Sequence, residues 1–403
     1  MKTLIADAFP GSALEALKSM GMDVDYQPGL SAADIPAAIG PTEVLVVRST
    51  RVTAEAIKAA PDLSLIVRAG AGVNTIDIGT ASDRGIFVTN CPGKNSIAVA
   101  ELAMGLIVAV DRRIPENAAD FRAGIWNKGA YSKADGLAGT PLGIAGLGQI
   151  GLELAQRARA FHMPVRAWSR SLTPERAEQL GIGYCPDLDT LMESCGVVSL
   201  HMALNDATRG IISRERIGRM RQGAVLINTG RAELVDEDAL VEALRAGSIR
   251  AGLDVFRDEP EGKNGSIRSA LQDCPNLVVT HHIGASTTQA QEAVAAEAVR
   301  IIGEFRRSGS VINWVNRSPA TPVRCQLVVR HQDKPGVLAN VLRELKNAEI
   351  NAEEIENVVF AGNKTASCTI RLSEEPAPVV LEAIRKRRDE VISARLLDLP
   401  RES

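Results

Sequence analysis

Three side chains of complementary type stand just beyond apolar runs in the second half of this 403-residue chain. Arg231 follows Ala224-Val225-Leu226-Ile227, Glu259 follows Asp254 in GLDVFRDEP, and His282 follows Val278-Val279-Thr280 in VVTHHIGAST. A histidine poised near neutral pH can take a hydroxyl proton. A neighbouring carboxylate can fix its tautomer and stabilise the imidazolium. An arginine can hold a substrate carboxylate in a fork and polarise the reacting carbon–oxygen bond. Together these types suit hydride transfer from a 2-hydroxy acid to a nicotinamide, which carries the redox chemistry itself. Singly, each has a bland account: a loop histidine, a glutamate ending a turn, an arginine capping a strand. Three at successive strand ends of one sheet make coincidence a poor explanation. Spacing alone does not choose between His281 and His282. His201 also ends a strand and is a candidate for the cofactor cleft, whereas His162 reads as structural.

Positioning such groups takes a sheet, and residues 139–171 supply its signature. The apolar run Leu142-Gly143-Ile144-Ala145 leads directly into Gly146-Leu147-Gly148-Gln149-Ile150-Gly151, a helical pattern and a second strand at Val165 to Trp168. Gly146 permits the tight turn, Gly148 lets backbone approach a pyrophosphate, and Gly151 lets helix pack on strand. The helix N-terminus offers unpaired N–H groups to the phosphates. An acid at the end of the second strand would bind the ribose hydroxyls of NAD, but Ser169 stands there, followed by Arg170. Serine removes the charge that would repel a 2′-phosphate and Arg170 could pair with one, so NADP is left open beside NAD, the expected cofactor. Alternating strands and helices continue to about residue 280, which predicts a doubly wound parallel sheet.

Upstream, short apolar runs at Leu4, Val44, Leu65 and Phe87 predict a second parallel α/β domain. Arg48 in VVRSTRVT and Arg68 in IVRAGAGV stand just past strand ends, where ligands of open sheets gather and where a guanidinium suits an anion. Thr53 is the expected cap of one helix, and Asn95 or Ser96 that of a long helix over 96–110. Past a proline-bearing stretch at 316–324, read as a linker, the pattern changes to βαββαβ with a hairpin around Gly362-Asn363, a ferredoxin-like α+β unit.

The net charge of −3 argues against a nucleic-acid partner. The N-terminal apolar stretch is too short for a signal peptide, and the run at 97–110 is too short to span a bilayer. Six cysteines without paired or metal-ligand spacing point to reduced thiols, a cytoplasmic setting and no metal site.

The blocks VVRSTRVT, VRAGAGVNTID, NSIAVAEL, GIAGLGQIG, NTGRAELVDEDAL, LDVFRDEP and HIGAST resemble, in order, those of the D-isomer-specific 2-hydroxyacid dehydrogenases. The resemblance covers nearly the whole chain. It implies two Rossmann-like domains, a substrate-binding one formed by residues 1–95 and 284–315 and a dinucleotide-binding one at 96–283. It makes Arg231, Glu259 and His282 the catalytic trio, choosing His282 because the family histidine directly precedes a hydrophobic-Gly pair. His281 replaces a proline usual there, and Ala232 a glycine common after the arginine. Asp254 resembles an aspartate near the nicotinamide carboxamide. Gln149, Ile150, Met202, Thr229, Gly230, Gly284 and Ala285 match other cofactor positions. Arg48 and Arg68 match arginines that handle the carboxylate or phosphate of an anionic substrate such as 3-phosphoglycerate. A homodimer built on residues 96–110, or a homotetramer, is implied. The tail at 325–403 resembles an ACT domain, in which His331, Asp333 and Asn351 match positions that bind L-serine. The rival readings are an NADPH-dependent hydroxypyruvate or glyoxylate reductase, and a dinucleotide-sensing corepressor-like binding protein.

Overall fold

The computed structural model describes residues 1–260, 265–318 and 325–398. The chain divides into two compact units, residues 1–316 and 317–403. Of the expected linker at 316–324, residues 319–324 lie outside the described residues.

In the first unit the strands β1 (Lys2–Ile5), β2 (Asp23–Tyr26), β3 (Val44–Val47), β4 (Leu65–Arg68) and β5 (Phe87–Asn90) form one parallel sheet of order β2-β1-β3-β4-β5. Alternate residues feed two cores. Leu4, Leu45, Val47 and Ile66 enter one, and Ile5, Val44, Val46, Leu65 and Val67 enter the other. Burial on both faces is why these strands read as unbroken apolar runs. The second face is closed by the helix Thr288–Ser308, whose Val294, Ala298, Ile301 and Ile302 complete that core. Glu297 of this helix is 6% exposed and pairs with Arg300 at 2.6 Å and Lys94 at 3.5 Å, and it accepts from Asn313 Nδ2 at 2.9 Å.

The second sheet contains β6 (Leu142–Ala145), β7 (Val165–Trp168), β8 (Gly183–Tyr184), β9 (Val197–Leu200), β10 (Ala224–Asn228), β11 (Ile249–Leu253) and β12 (Leu277–Val279). Its order, β12-β11-β10-β9-β6-β7-β8, reverses between β6 and β9, and the crevice of such a sheet opens at that reversal. The long helix Ser96–Arg112 packs on β10, β11 and β12. Its expected cap is not made: neither Asn95 nor Ser96 caps it with a side chain, and Asn95 Oδ1 and Ser96 Oγ are buried without a partner. Thr53, by contrast, caps its helix by accepting from the Ala56 N–H.

The glycine turn follows β6. Gly146 has φ +98°, and a Cβ there would lie 2.8 Å from the His201 backbone. A Cβ on Gly151 would lie 2.7 Å from the Gly146 carbonyl oxygen and 3.0 Å from Ile144. Nothing lies within 4 Å of a Cβ on Gly148. The first and third glycines are thus demanded by packing, and the second leaves open space.

Edge strands β2 and β8 escaped the sequence reading. With residues left half-exposed or exposed, they lack an apolar run.

The second unit is a four-stranded antiparallel sheet of β13 (Cys325–Gln332), β14 (Ala352–Val359), β15 (Thr365–Leu372) and β16 (Val391–Asp398) in the order β14-β15-β13-β16. Helices Val337–Asn347 and Pro378–Arg385 complete the βαββαβ pattern. Gly362 and Asn363, both at positive φ, turn the hairpin. No helix among the described residues is long and apolar enough to cross a membrane.

Two stability outcomes follow from this packing. Gly151→Ala costs about 1–3 kcal/mol because backbone must move, read as a lower denaturation midpoint, whereas Gly148→Ala leaves the midpoint unchanged. The hydrogen bond from Arg300 holds the Glu297 carboxyl at about 2, against an ordinary 4.5. A depressed pKa adds stability that is complete above the ordinary value and lost as pH falls toward the folded one. Glu297→Gln should therefore be less stable than the parent by about 1–2 kcal/mol at neutral pH. In denaturant titrations that gap closes as pH falls from 4.5 toward 2.

Candidate active site

His282 and Glu259 meet. His282 Nδ1 lies 2.6 Å from Glu259 Oε2, and Glu259 Oε1 accepts the Phe256 N–H at 2.9 Å. Burial pushes the Glu259 carboxyl up, but the hydrogen bonds from His282 and Phe256 and the charges of His282 and Arg231 outweigh it. It is held below the ordinary carboxylate range and stays ionised wherever a histidine titrates. His282 Nε2 hydrogen-bonds no described residue and half the side chain is exposed. Such a ring can take up and return a proton at Nε2 while Nδ1–H stays on the carboxylate. The choice that spacing left open is thus made by contact. His281 is exposed.

The loop bearing His282 is organised by Asp254, which is fully buried at the end of β11. Its carboxylate accepts Thr280 Oγ1 at 2.6 Å and the N–H groups of Ile283 and Gly284 at 2.9 Å each. Its carbonyl accepts the His282 N–H at 2.8 Å, and His282 itself adopts φ +51°. A Cβ on Gly284 would sit 3.1 Å from Asp254 Oδ2, so the loop closes tightly there. Ala285 follows, half-buried.

Arg231 extends from the loop after β10. Asn228, 1% exposed, braces that loop by donating to the Arg231 carbonyl at 2.8 Å and accepting the Gly230 N–H at 3.0 Å. Sequence reading missed Asn228, although a polar residue closing a buried apolar strand was a visible signal. Arg231 Nη1 donates to the Gly230 carbonyl at 2.7 Å. Ala232 opens a short 3₁₀ turn without positive φ, so alanine is tolerated where a glycine was expected.

Arg231 also reaches the first sheet. A Cβ on Gly72 would lie 2.3 Å from Arg231 Nη2, and one on Gly70 would lie 1.6 Å from Arg68 Nη1. The glycines of the Gly70-Ala71-Gly72 loop thus make room for two guanidinium groups. Burial, and then the charges of Arg231 and Arg48, bring Arg68 down to about 10. Its Nε is buried without a partner. Three arginines therefore gather where the two sheets meet, an arrangement that suits an anion.

At the turn after β6, helix Gln149–Ala160 begins at Gly148 with no side-chain cap. Its first N–H groups face the open space beside Gly148, which fits a pyrophosphate. Met202 Cγ and the His201 backbone wall this turn. Thr229, 8% exposed, has a buried hydroxyl without a partner. Ile150 is half-buried on the first turn of the helix, while the Gln149 side chain abuts Gly93. Ser169 and Arg170 stand past the end of β7, Arg170 exposed. His201 lies 2.9 Å from Ser199 Oγ, and burial brings it down to about 4, so it stays neutral.

In the second unit the three tail residues do not converge. His331 is buried, bonded to the Gln332 carbonyl at 2.7 Å and to Asn357 at 3.1 Å. Asp333 is exposed just beyond. Asn351 precedes β14, whose first residue pairs with Leu372, the partner of Cys325, whereas His331 pairs with Ala366. Asn351 therefore lies at the opposite end of the sheet, roughly 20 Å away at the rise of a strand.

Residues 104–284 match the family model described as the NAD binding domain of D-isomer specific 2-hydroxyacid dehydrogenase. The D-3-phosphoglycerate dehydrogenase of Methanocaldococcus jannaschii is 35% identical over 357 residues, 88% of this chain and 67% of that protein. The hydroxypyruvate reductase of Thermotoga maritima is 43% identical over 276 residues, 68% of this chain and 88% of that protein. Among solved structures, the NADPH-dependent glyoxylate/hydroxypyruvate reductase of Sinorhizobium meliloti in complex with NADP and malonate superposes with a TM-score of 0.67. It is 28% identical, over 79% of this chain and 99% of that one. With likeness across both sheets and a His–Glu pair beside clustered arginines, this chain belongs to the D-isomer specific 2-hydroxyacid dehydrogenase family and is a nicotinamide-dependent oxidoreductase.

Proposed function

We propose that the protein oxidises 3-phosphoglycerate to 3-phosphohydroxypyruvate, the first step of L-serine biosynthesis. The observation that carries this reading is the gathering of Arg48, Arg68 and Arg231 beside the His282–Glu259 pair. Three guanidinium groups exceed the need of one carboxylate and suit a substrate bearing two anionic ends. Arg231 holds the substrate carboxylate and polarises the carbon–oxygen bond. His282 takes the hydroxyl proton at Nε2, and Glu259 steadies the resulting imidazolium. Arg48 and Arg68 receive the second anionic group. Gly146, Gly148, Gly151, Thr229 and Gly230 would hold the coenzyme, with Ser169 and Arg170 at its adenosine ribose. When bound, the nicotinamide supplies the hydride acceptor. A cytoplasmic setting fits six cysteines whose spacing in the sequence shows no pairing pattern.

Ser169-Arg170 favours a second reading, an NADPH-dependent hydroxypyruvate or glyoxylate reductase. Steady-state assays crossing NADH and NADPH with phosphohydroxypyruvate and hydroxypyruvate separate the two. The first reading expects phosphohydroxypyruvate to be preferred by at least about 10-fold in kcat/KM, the worth of one charged hydrogen bond. Equal efficiency with both substrates overturns it.

The likeness of the tail to an ACT domain, with His331, Asp333 and Asn351 at the matching positions, is what supports an L-serine effector site. Because Asn351 stands far from His331 and Asp333 in one chain, a site using all three takes Asn351 from a second copy, in keeping with a homodimer or homotetramer. Calorimetric titration with L-serine should give saturable heat that His331→Ala abolishes, and heat no greater than dilution removes the effector.

His282→Ala should lower kcat by about 10²–10⁴-fold, the usual worth of a positioned acid–base group, while His281→Ala leaves it unchanged. Glu259→Gln replaces the carboxylate that accepts from His282 Nδ1 and orients its ring, so kcat should fall by at least about 10-fold in the same assay.

A further inference from the structure

The geometry points to Asp7 as the positioning residue that sets Arg48 for the second anionic group of the substrate. The inference rests on the substrate reading above and extends it to a residue outside the arginine cluster. Asp7 lies just past β1, and Arg48 just past β3. These strands are neighbours, and the order β2-β1-β3-β4-β5 reverses between them, so their ends face the crevice of the first sheet.

Asp7 is 7% exposed. Its Oδ2 accepts three consecutive backbone N–H groups, those of Arg48 at 2.7 Å and of Ser49 and Thr50 at 3.0 Å each. Its Oδ1 accepts Ser49 Oγ at 3.1 Å. Three successive N–H groups closing on one oxygen form a nest that only an anion fills well. The loop after β3 is thus wrapped around a carboxylate delivered by the neighbouring strand, and the Arg48 backbone is one wall of it.

Asp7 spends its acceptor capacity on backbone rather than on a guanidinium. The Arg48 side chain makes no hydrogen bond or ion pair among the described residues. Its charge stays available to a ligand. A carboxylate bonded directly to Arg48 would compete with substrate for the guanidinium. One bonded to the loop fixes the arginine's origin and leaves its fork open. At the same time the negative charge of Asp7 favours the protonated form of Arg68, against the like charges of Arg48 and Arg231. Replacing the carboxylate by an amide of equal size removes the charge and turns one acceptor into a donor facing donors.

The test is Asp7→Asn in the full-length enzyme, assayed in the reductive direction with phosphohydroxypyruvate and with hydroxypyruvate. Expected are a rise of about 10-fold in KM for phosphohydroxypyruvate, kcat within about twofold of the parent, and unchanged KM for hydroxypyruvate and for coenzyme. Asp7→Glu, which keeps the charge, should fall between parent and Asp7→Asn. Should Asp7→Asn not fold, as judged by its thermal melt, Asp7→Glu carries the test, because the added methylene displaces the nest and must still raise KM for the phosphorylated substrate selectively. KM values for both substrates rising together, kcat falling alone, or no change in either variant overturns the inference. A parent enzyme indifferent to the phosphate sinks the substrate reading and this inference with it. A discriminating parent with a non-selective Asp7 variant sinks this inference alone.

Discussion

Like charge brought together in a half-buried place is the constraint on which the rest of unit one depends. Arg48, Arg68 and Arg231 come from three strand ends in two sheets, and burial and mutual repulsion both work against Arg68 keeping its proton. Nothing in hydrophobic packing favours such a cluster. It persists because the surrounding backbone makes room for it and because fixed negative charge stands near. Gly70 and Gly72 supply the room, since any Cβ there would occupy the guanidinium positions. Asp7 and Glu259 supply the charge, each held ionised by hydrogen bonds that outweigh the cost of its burial. Such an arrangement suits an anion.

The same structural device appears in both sheets. Asp7 at the end of β1 gathers the backbone N–H groups of the loop after β3, its neighbour in the sheet. Asp254 at the end of β11 gathers those of the loop after β12, again its neighbour. In each case the loop held this way carries a group of the candidate site, Arg48 in one and His282 in the other. Buried carboxylates are costly unless fully hydrogen-bonded, and backbone donors beyond a strand end are otherwise unpaired. The two deficits offset one another, and the loops gain one defined conformation. His282 at positive φ is part of that conformation.

Much of this architecture is legible in the amino-acid order alone. Interior strands declare themselves because both their faces are buried, so Val44–Val47 or Ala224–Asn228 reads as an apolar run. Edge strands such as Asp23–Tyr26 do not, because solvent relieves that demand. The glycine spacing at 146, 148 and 151 is dictated by contacts within a few residues and their neighbouring strand, so it too is local and readable. The residue types of the site, placed just past strand ends, were readable for the same reason.

What the tertiary structure alone decided is how those groups meet. The resemblance singled out His282, and the contact shows the cause: the Asp254 carboxylate turns the loop so that His282 rather than His281 reaches Glu259, a contact across 30 residues at its longest. Asp7 finds Arg48 across 41 residues, and Asn228 braces Arg231 through a polar contact that apolar periodicity does not register. His331 and Asn351, close in sequence, stand at opposite ends of a sheet. Local preference sets the strands and the turn because its causes act over a few bonds. Convergence of charges is set by strand order, which is a property of the whole packed chain.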